Sequence, residues 1–179
     1  MEPRKHDRVR YFQVADDGTF PNSGLPMLVY SAVDLPGEDA AEAFERLFHS
    51  NGWGGTWRNG VYDFHHYHST AHEVLAVCAS SATIQLGGPS GVTLDVTEGQ
   101  CLVIPAGVAH KRVRSGPGFL VVGAYPRGQA PDLCRGGPGE RPAADRRIAE
   151  VALPRRDPVR GTGGPLEQLW IAPGTPPVV

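Results

Sequence analysis

The chain has 179 residues, of which 40% are hydrophobic, and a formal net charge of −2. A chain of this size can bury one substantial core, so we expect a single domain over residues 1–179. The small net charge argues against nucleic-acid binding and favours a small-molecule partner. No run of about eighteen apolar residues predicts a membrane span. Three widely spaced cysteines without a C-x-x-C pair are typical of a reducing, cytoplasmic location.

The N-terminal part of the chain predicts one strand and one helix. The stretch MLVYSAVDL, from Met27 to Leu35, has the β-branched and aromatic content of a strand. In GEDAAEAFERLFHSNGW, apolar residues recur at spacings of three and four, which predicts a helix at about residues 37–50.

From Gly60 onward, short runs of Val, Ile, Leu, Thr and aromatic residues alternate with glycine- and proline-containing turn signals. They predict strands near 61–68, 73–79, 82–87, 92–96, 101–104, 110–115 and 119–125. Short strands at this spacing favour an antiparallel sandwich or barrel over a parallel sheet, so the predicted fold class is all-β with a barrel core at about 60–126.

The remaining residues predict a long C-terminal extension over 127–179 that wraps around the core. The stretch PRGQAPDLCRGGPGERPAADRR is rich in Gly, Pro and charge and has no periodicity, which is typical of a loop. The stretch RRIAEVALP is compatible with a short strand or a helical turn. Leu166, Leu169 and Trp170 are available to dock onto the core.

The stretch HHYHSTAHE, from His65 to Glu73, predicts a metal site. Strand alternation would place His66 and His68 side by side on one face, and Glu73 opens the following strand. His110 comes directly after the turn PAGVA, whose sharp reversal could direct it to the same place. Imidazole and carboxylate groups are suitable ligands for zinc, iron, nickel or copper.

These residues also resemble the two sequence motifs of the cupin superfamily. The first motif, a glycine followed at fixed intervals by His-x-His and Glu, is matched by Gly60, His66, His68 and Glu73. The second, a glycine followed by Pro-x-Gly and His, is matched by Gly99, Pro105, Gly107 and His110. Ser80 and Arg114 stand where the motifs end in glycine and asparagine.

A closer resemblance, to the small bacterial YjlB-like cupins, covers residues 44–170. It is carried by the runs FHHYHSTAHEVLAV, IPAGVAHK, VVGAYPRGQ and DPVRGTGGPL. The resemblance implies a jelly-roll barrel, a homodimer and one divalent metal ion per chain. The implied ligands are His66, His68, Glu73 and His110.

Other residues are candidates for substrate contact or proton transfer. Arg112 and Arg114 share a face with His110 if the strand is regular, and could then bind an anionic substrate; if the parity shifts, they are exposed. Tyr62, Phe64 and Tyr125 either line the pocket or fill the core. His72 is a further ligand, an acid or base, or a neighbour of the ligands, and Tyr62 is a second candidate for moving a proton.

Three functions fit these residues. The first is a mononuclear iron dioxygenase-type oxidoreductase acting on a small anionic or chelating substrate, with Fe(II) favoured. The second is a non-redox isomerase or lyase, for which Zn, Ni or Mn would serve. The third is a metal- or small-molecule-binding protein without turnover. Fold alone does not choose among them.

Overall fold

The computed structural model describes residues 9–37 and 39–171, and across them the chain forms nine strands and three helices. The strands are β1 (Val9–Val14), β2 (Ser23–Tyr30), β3 (Trp53–Asn59), β4 (Glu73–Ala79), β5 (Ser81–Leu86), β6 (Val92–Thr97), β7 (Cys101–Ile104), β8 (His110–Ser115) and β9 (Leu120–Pro126). The helices are α1 (Ala40–Ser50), α2 (Ala143–Glu150) and α3 (Pro165–Trp170). Residue 38 of the predicted helix and residues 172–179 of the predicted extension lie outside the described residues.

The strands form two antiparallel sheets, ordered β1-β2-β7-β4-β9-β3 and β6-β5-β8. Strand β4 lies inside the larger sheet and is apolar on both faces because both faces are covered. Val74 and Ala76 pack in one core cluster with buried residues of α1 and α3. Leu75 and Val77 pack in a second cluster with residues of both sheets. The larger sheet is therefore a middle layer between two helices and the smaller sheet.

Strand register places two of the predicted ligands near each other. Glu73 pairs with Ile104 at one end of the β4–β7 ladder, and His110 pairs with Leu86 at one end of the β5–β8 ladder. Their side chains approach to 3.2 Å between Glu73 Oε2 and His110 Nε2. The two sheets thus meet at the end where Glu73 and His110 lie.

The fold is the predicted jelly roll, but its two sheets are not closed into a barrel. No ladder joins them within residues 9–37 and 39–171. Strands β3 and β8 are edge strands of the two sheets, and the segment 60–68 lies against β8. Arg112 N donates to Tyr62 O at 2.9 Å, and His110 N donates to His66 O at 2.9 Å. These bonds are too few and too irregular to form a ladder that closes the gap.

Six predicted strands are confirmed as β4 to β9, with ends that agree within one residue. The strand predicted at 61–68 is wrong, because only His66 and Tyr67 form bridges there, and they pair with different residues, His110 and Cys134. The strand next to this segment is β3, which ends before residue 60. Its GG pair is atypical of strands, so the sequence does not predict it. The strand predicted from Met27 to Leu35 ends at Tyr30, within β2.

The predicted helix is confirmed as α1. Asp39 caps its start, since the Asp39 carboxylate accepts from Glu42 N at 3.0 Å. Phe44 and Phe48 lie one turn apart and are buried against the larger sheet. Two further helices, α2 and α3, lie in the C-terminal extension, and α2 includes the start of RRIAEVALP, a stretch that is compatible with both a short strand and a helical turn. Among the described helices, none combines the length and the apolar character that a membrane span requires.

Candidate metal centre

Three histidines converge where the two sheets meet. His66 and His110 form an antiparallel bridge, in which His66 N donates to His110 O at 3.2 Å. His68 comes two residues after His66 in an extended segment, so both side chains point to the same side. One ring nitrogen from each histidine lies within 4.8 Å of the other two, and all three side chains are nearly or fully buried. The spacing is that of a site which could hold a metal ion.

The turn before His110 requires a glycine. Gly107 has a φ of +94°, and a Cβ at this position would lie 2.3 Å from Asn22 O. Gly107 N also donates to His68 O at 2.8 Å, which joins the turn to the His68 segment. The turn therefore fixes the distance between the two chain segments that carry the histidines.

Each histidine uses its Nδ1 to bond a main-chain carbonyl. The acceptors for His66, His68 and His110 are Phe64 O at 3.0 Å, Asp132 O at 2.5 Å and Val108 O at 3.1 Å. A carbonyl oxygen only accepts, so Nδ1 must carry the proton in every ring. The neutral ring then leaves Nε2 with a free lone pair, which is the form that binds a metal.

Glu73 places a carboxylate beside these lone pairs. Its Oε2 lies 3.4 Å from His68 Nε2 and 3.2 Å from His110 Nε2. The Glu73 side chain is buried, and no described residue satisfies Oε2 with a hydrogen bond of normal geometry. Buried acceptors that face one another repel unless a cation lies between them. The donor set, three imidazole nitrogens next to one carboxylate, therefore fits a divalent metal ion.

The pKa shifts of Glu73 and His66 support this assignment. Burial raises the pKa of the Glu73 carboxyl, but the His110 and His68 imidazoles more than offset this and hold the pKa below its ordinary value. Burial and the neighbouring His110 lower the pKa of His66 to about 3. Burial also lowers the pKa of His68, but Glu73 outweighs burial and the net shift is upward. Glu73 is thus ionised and His66 neutral near pH 7, as metal ligands must be.

A cavity of about 380 Å³ adjoins the four groups. Its volume is at the lower end of the range for small-molecule sites. Besides the four candidate ligands, the cavity is lined by Trp57, Arg58, Asn59, Gly60, Val61, Tyr62, Leu75, Tyr125, Pro131, Asp132 and Leu133. Tyr62 is 54% exposed and Leu133 is 50% exposed, so the cavity opens to solvent at these residues.

Tyr125 supplies a hydroxyl to the cavity wall. Trp57 Nε1 donates to the Tyr125 hydroxyl oxygen at 2.8 Å. Burial raises the pKa of Tyr125, and the nearby Glu73 carboxylate raises it further. The hydroxyl therefore keeps its proton and can donate it in a hydrogen bond.

Tyr62 lies at the opening of the cavity, and Phe64 stacks on it. Their rings stack with centroids 4.8 Å apart, and the Arg135 guanidinium lies 3.8 Å from the Phe64 centroid. Tyr62 lines the cavity, whereas Phe64 supports Tyr62 from behind. Stacking and the cation–π contact hold the exposed Tyr62 ring beside His66, whose centroid is 5.1 Å away.

The structure brings neither Arg112 nor Arg114 to the cavity. The pairing of β5 with β8 is regular from His110 to Arg112 and shifts register between Arg112 and Arg114, so the alternation along β8 is interrupted only beyond Arg112. Arg112 Nε donates to Val61 O at 3.0 Å. The Arg114 side chain is 76% exposed and lies 3.7 Å from the Asp95 carboxylate. Arg112 thus keeps the face of His110, but its side chain bonds the main chain of Val61 and does not line the cavity, whereas Arg114 loses that face.

His72 is buried next to Glu73 in sequence but does not line the cavity. Its Nδ1 accepts from Ala106 N at 2.9 Å, and its ring lies 4.9 Å from the Trp170 ring. Burial lowers the pKa of His72 to about 4, so the ring is neutral near pH 7. His72 therefore connects the turn before His110 to α3.

Sequence reasoning missed Asp132, which contributes to the site twice. Its main-chain carbonyl orients His68, and its carboxylate accepts from Ser69 N at 2.6 Å and from the Ser69 hydroxyl. Asp132 lies in a stretch without periodicity, and the group that contacts His68 is a main-chain oxygen. No signal of residue type or spacing marks such a position.

No known protein-family profile matches the chain. Among solved structures, the chain is similar to acireductone dioxygenase from Bacillus anthracis with a cadmium ion in its active center, at 12% identity and a TM-score of 0.39 over 71% of this chain and 84% of that one. It is also similar to a DUF861 family protein from Thermotoga maritima, at 15% identity and a TM-score of 0.32 over 51% of this chain and 96% of that one.

Among curated proteins, the uncharacterized protein YjlB of Bacillus subtilis is 41% identical over 157 residues. The match covers 87% of this chain and 93% of YjlB. Identity at this level over nearly the full length of both proteins confirms the predicted resemblance. The chain belongs to the YjlB family.

Proposed function

We propose that this protein is a metal-dependent enzyme, a mononuclear non-haem iron dioxygenase-type oxidoreductase that acts on a small anionic or chelating substrate. The observation that carries the proposal is the arrangement of the three imidazoles, each with Nδ1 bonded to a carbonyl, and of the Glu73 carboxylate beside Nε2 of His68 and His110. His66, His68 and His110 would hold the ion, with Glu73 as the fourth ligand.

The cavity favours an enzyme over a protein that only binds an ion in a closed site. A protein that only stores an ion needs little free volume beside it, whereas about 380 Å³ adjoins this site. Three neutral imidazoles and one carboxylate leave a divalent ion with net positive charge, which favours an anionic substrate. Iron(II) held by these four groups would supply redox chemistry with dioxygen to a chelating substrate, and zinc, nickel or manganese would instead supply a Lewis acid.

The chain's own residues would orient the substrate. The Tyr125 hydroxyl, held by Trp57 at 2.8 Å, can donate a hydrogen bond to a substrate oxygen. Tyr62 and Leu133 border the opening and offer apolar contact to a substrate that enters. Leu75 gives the interior an apolar wall that excludes water from the reacting groups.

The test is anaerobic purification followed by elemental analysis and an oxygen-uptake assay against a panel of small carboxylates and diketones. The proposal expects iron at about one ion per chain and oxygen uptake that depends on one of these substrates. Tightly held zinc with no uptake across the panel would overturn the dioxygenase assignment. Size-exclusion chromatography with light scattering would test the homodimer, which stays a prediction together with the cytoplasmic location.

A further inference from the structure

A second cavity lies apart from the candidate metal centre. It has a volume of about 560 Å³, larger than that beside the histidines, and the two cavities share no lining residue. Its walls come from three parts of the chain: the end of α1 with the start of β3, the residues after β9, and the segment 152–156. The second cavity therefore has room for a molecule and no part in the chemistry proposed above.

The charged side chains that line this second cavity are all positive. Arg127, Arg155 and Arg156 line it, all three are exposed, and no Asp or Glu is among its lining residues. Across the part of the chain that the structure describes, none of the three guanidiniums forms an ion pair or a hydrogen bond. In contrast, Arg58 and Arg141 on the same molecule are each bonded to carboxylates. Three unpaired guanidiniums around one cavity attract an anion.

The main chain that carries these arginines is held in place. Arg127 N donates to Gly52 O at 2.9 Å, and Trp53 Nε1 donates to Arg156 O at 3.0 Å. Gln129 Nε2 donates to Ala152 O at 2.7 Å, which joins the residues after β9 to the segment 152–156. The walls are thus fixed relative to one another, while the guanidiniums stay free to close on a ligand.

We propose that the second cavity binds a small polyanion that carries phosphate groups. A guanidinium presents donors in a planar fork that matches phosphate oxygens, and one phosphate offers three strong acceptor oxygens and close to two negative charges. Leu153, Pro126 and Pro154 also line the cavity, and they would contact the carbon skeleton of such a ligand.

The probe is inorganic pyrophosphate, titrated calorimetrically into the full chain at about 50 mM salt, where charge interactions are weakly screened. We expect saturable binding of about one pyrophosphate per chain. The double variant Arg155→Gln/Arg156→Gln should weaken the affinity at least about tenfold, because it removes two charged hydrogen-bond donors. Arg127→Gln should weaken it about fivefold to tenfold on its own.

The control variant is Arg10→Gln/Arg46→Gln, which removes the same formal charge from two exposed arginines outside the second cavity. It should retain wild-type affinity within about twofold. His110→Ala should also retain binding, which separates this site from the candidate metal centre. No saturable binding to the wild type, equal loss in both double variants, or loss in His110→Ala would each overturn the proposal. Circular dichroism on every variant shows that the changes report binding and not unfolding.

Discussion

The three carbonyl groups that orient the histidines differ in how firmly they are held. Phe64 O and Val108 O each come two residues before the histidine they bond, so the local backbone fixes them. Asp132 O comes from 64 residues beyond His68. The orientation of His68 therefore depends on a loop that other side chains must hold in place.

Arg147 is the side chain that holds this loop to α2. Its Nε donates to Ser69 Oγ at 2.7 Å and lies 3.6 Å from Asp132 Oδ2. Replacement of Arg147 by Ala should free the loop and lower the affinity for a divalent metal about tenfold, as loss of an outer partner of a metal ligand does. Zinc titration in competition with a chromophoric chelator measures the effect.

The matched control for Arg147→Ala is Arg146→Ala, at the adjacent and exposed arginine of the same helix. It should leave the zinc affinity unchanged. An equal affinity in the two variants would show that Arg147 does not position His68.

The sequence predicts His66, His68, Glu73 and His110 because their spacing is a property of residue types. It does not predict Asp132, since the atom that contacts His68 is a carbonyl oxygen that every residue has. It also does not predict that Arg112 and Arg114 miss the cavity, because that follows from the bond of Arg112 to Val61 O and from a register shift beyond Arg112 that is set by pairing with β5. Spacing thus identifies candidate ligands, and the tertiary contacts around them decide how they are oriented.

At the scale of elements, the segment between β9 and the end of α2 is held mainly by carboxylates. The Arg141 guanidinium donates to Asp16 Oδ1 at 2.7 Å and to Asp145 Oδ1 at 2.6 Å. The Glu140 carboxylate accepts from Tyr67 and from two main-chain N–H groups. The pKa of Asp16 is lowered to about 2, chiefly by its hydrogen bond to Arg141, and those of Asp145 and Glu140 are also lowered.

These shifts predict that acid releases the segment before it unfolds the sheets. A carboxyl whose pKa is lower in the folded state stabilises the fold above its unfolded pKa, near 4, and the stabilisation is lost as pH falls. We expect amide NMR signals of α2 to lose dispersion between about pH 4 and pH 2 while those of β4 persist. Loss of both sets of signals at the same pH would contradict this order.

The segment 60–68 shows why the sequence predicts some elements better than others. Its alternation of aromatic and histidine residues is real, since the rings of Tyr62, Phe64, His66 and His68 contact one another in sequence along one side. Its main chain lacks a continuous partner strand, so no ladder forms. Alternation predicts which side a residue faces, whereas a strand also needs a neighbour with free main-chain groups. The sequence predicts helix α2 only as one of two alternatives, a short strand or a helical turn, because only Ala144 in it is buried.

At the scale of the whole molecule, one buried carboxylate joins the C-terminal segment to the larger sheet. Asp157 is fully buried and accepts from the Tyr30 hydroxyl of β2. It also accepts from the main-chain N–H groups of Val159, Arg160 and Leu166, at 2.8 to 2.9 Å. The Asp157 carboxylate therefore accepts hydrogen bonds both from main-chain N–H groups at the start of α3 and from those of the turn that follows Asp157.

Replacement of Asp157 by Ala should lower the free energy of unfolding by about 3 kcal/mol, because it leaves a buried hydroxyl and several N–H groups without acceptors. Urea unfolding followed by tryptophan fluorescence measures the change. Asp63→Ala, at an exposed carboxylate, is the control and should cost less than about 0.5 kcal/mol. Equal stability of the two variants would show that the C-terminal segment does not depend on Asp157.

We infer that His66, His68 and His110, beside Glu73, form a metal site. Elemental analysis of the purified wild type, His66→Ala and His110→Ala tests this inference, with circular dichroism to show that each variant is folded. We expect about one divalent ion per chain in the wild type and loss of most of it in each folded variant. Full metal loading in either variant would contradict it.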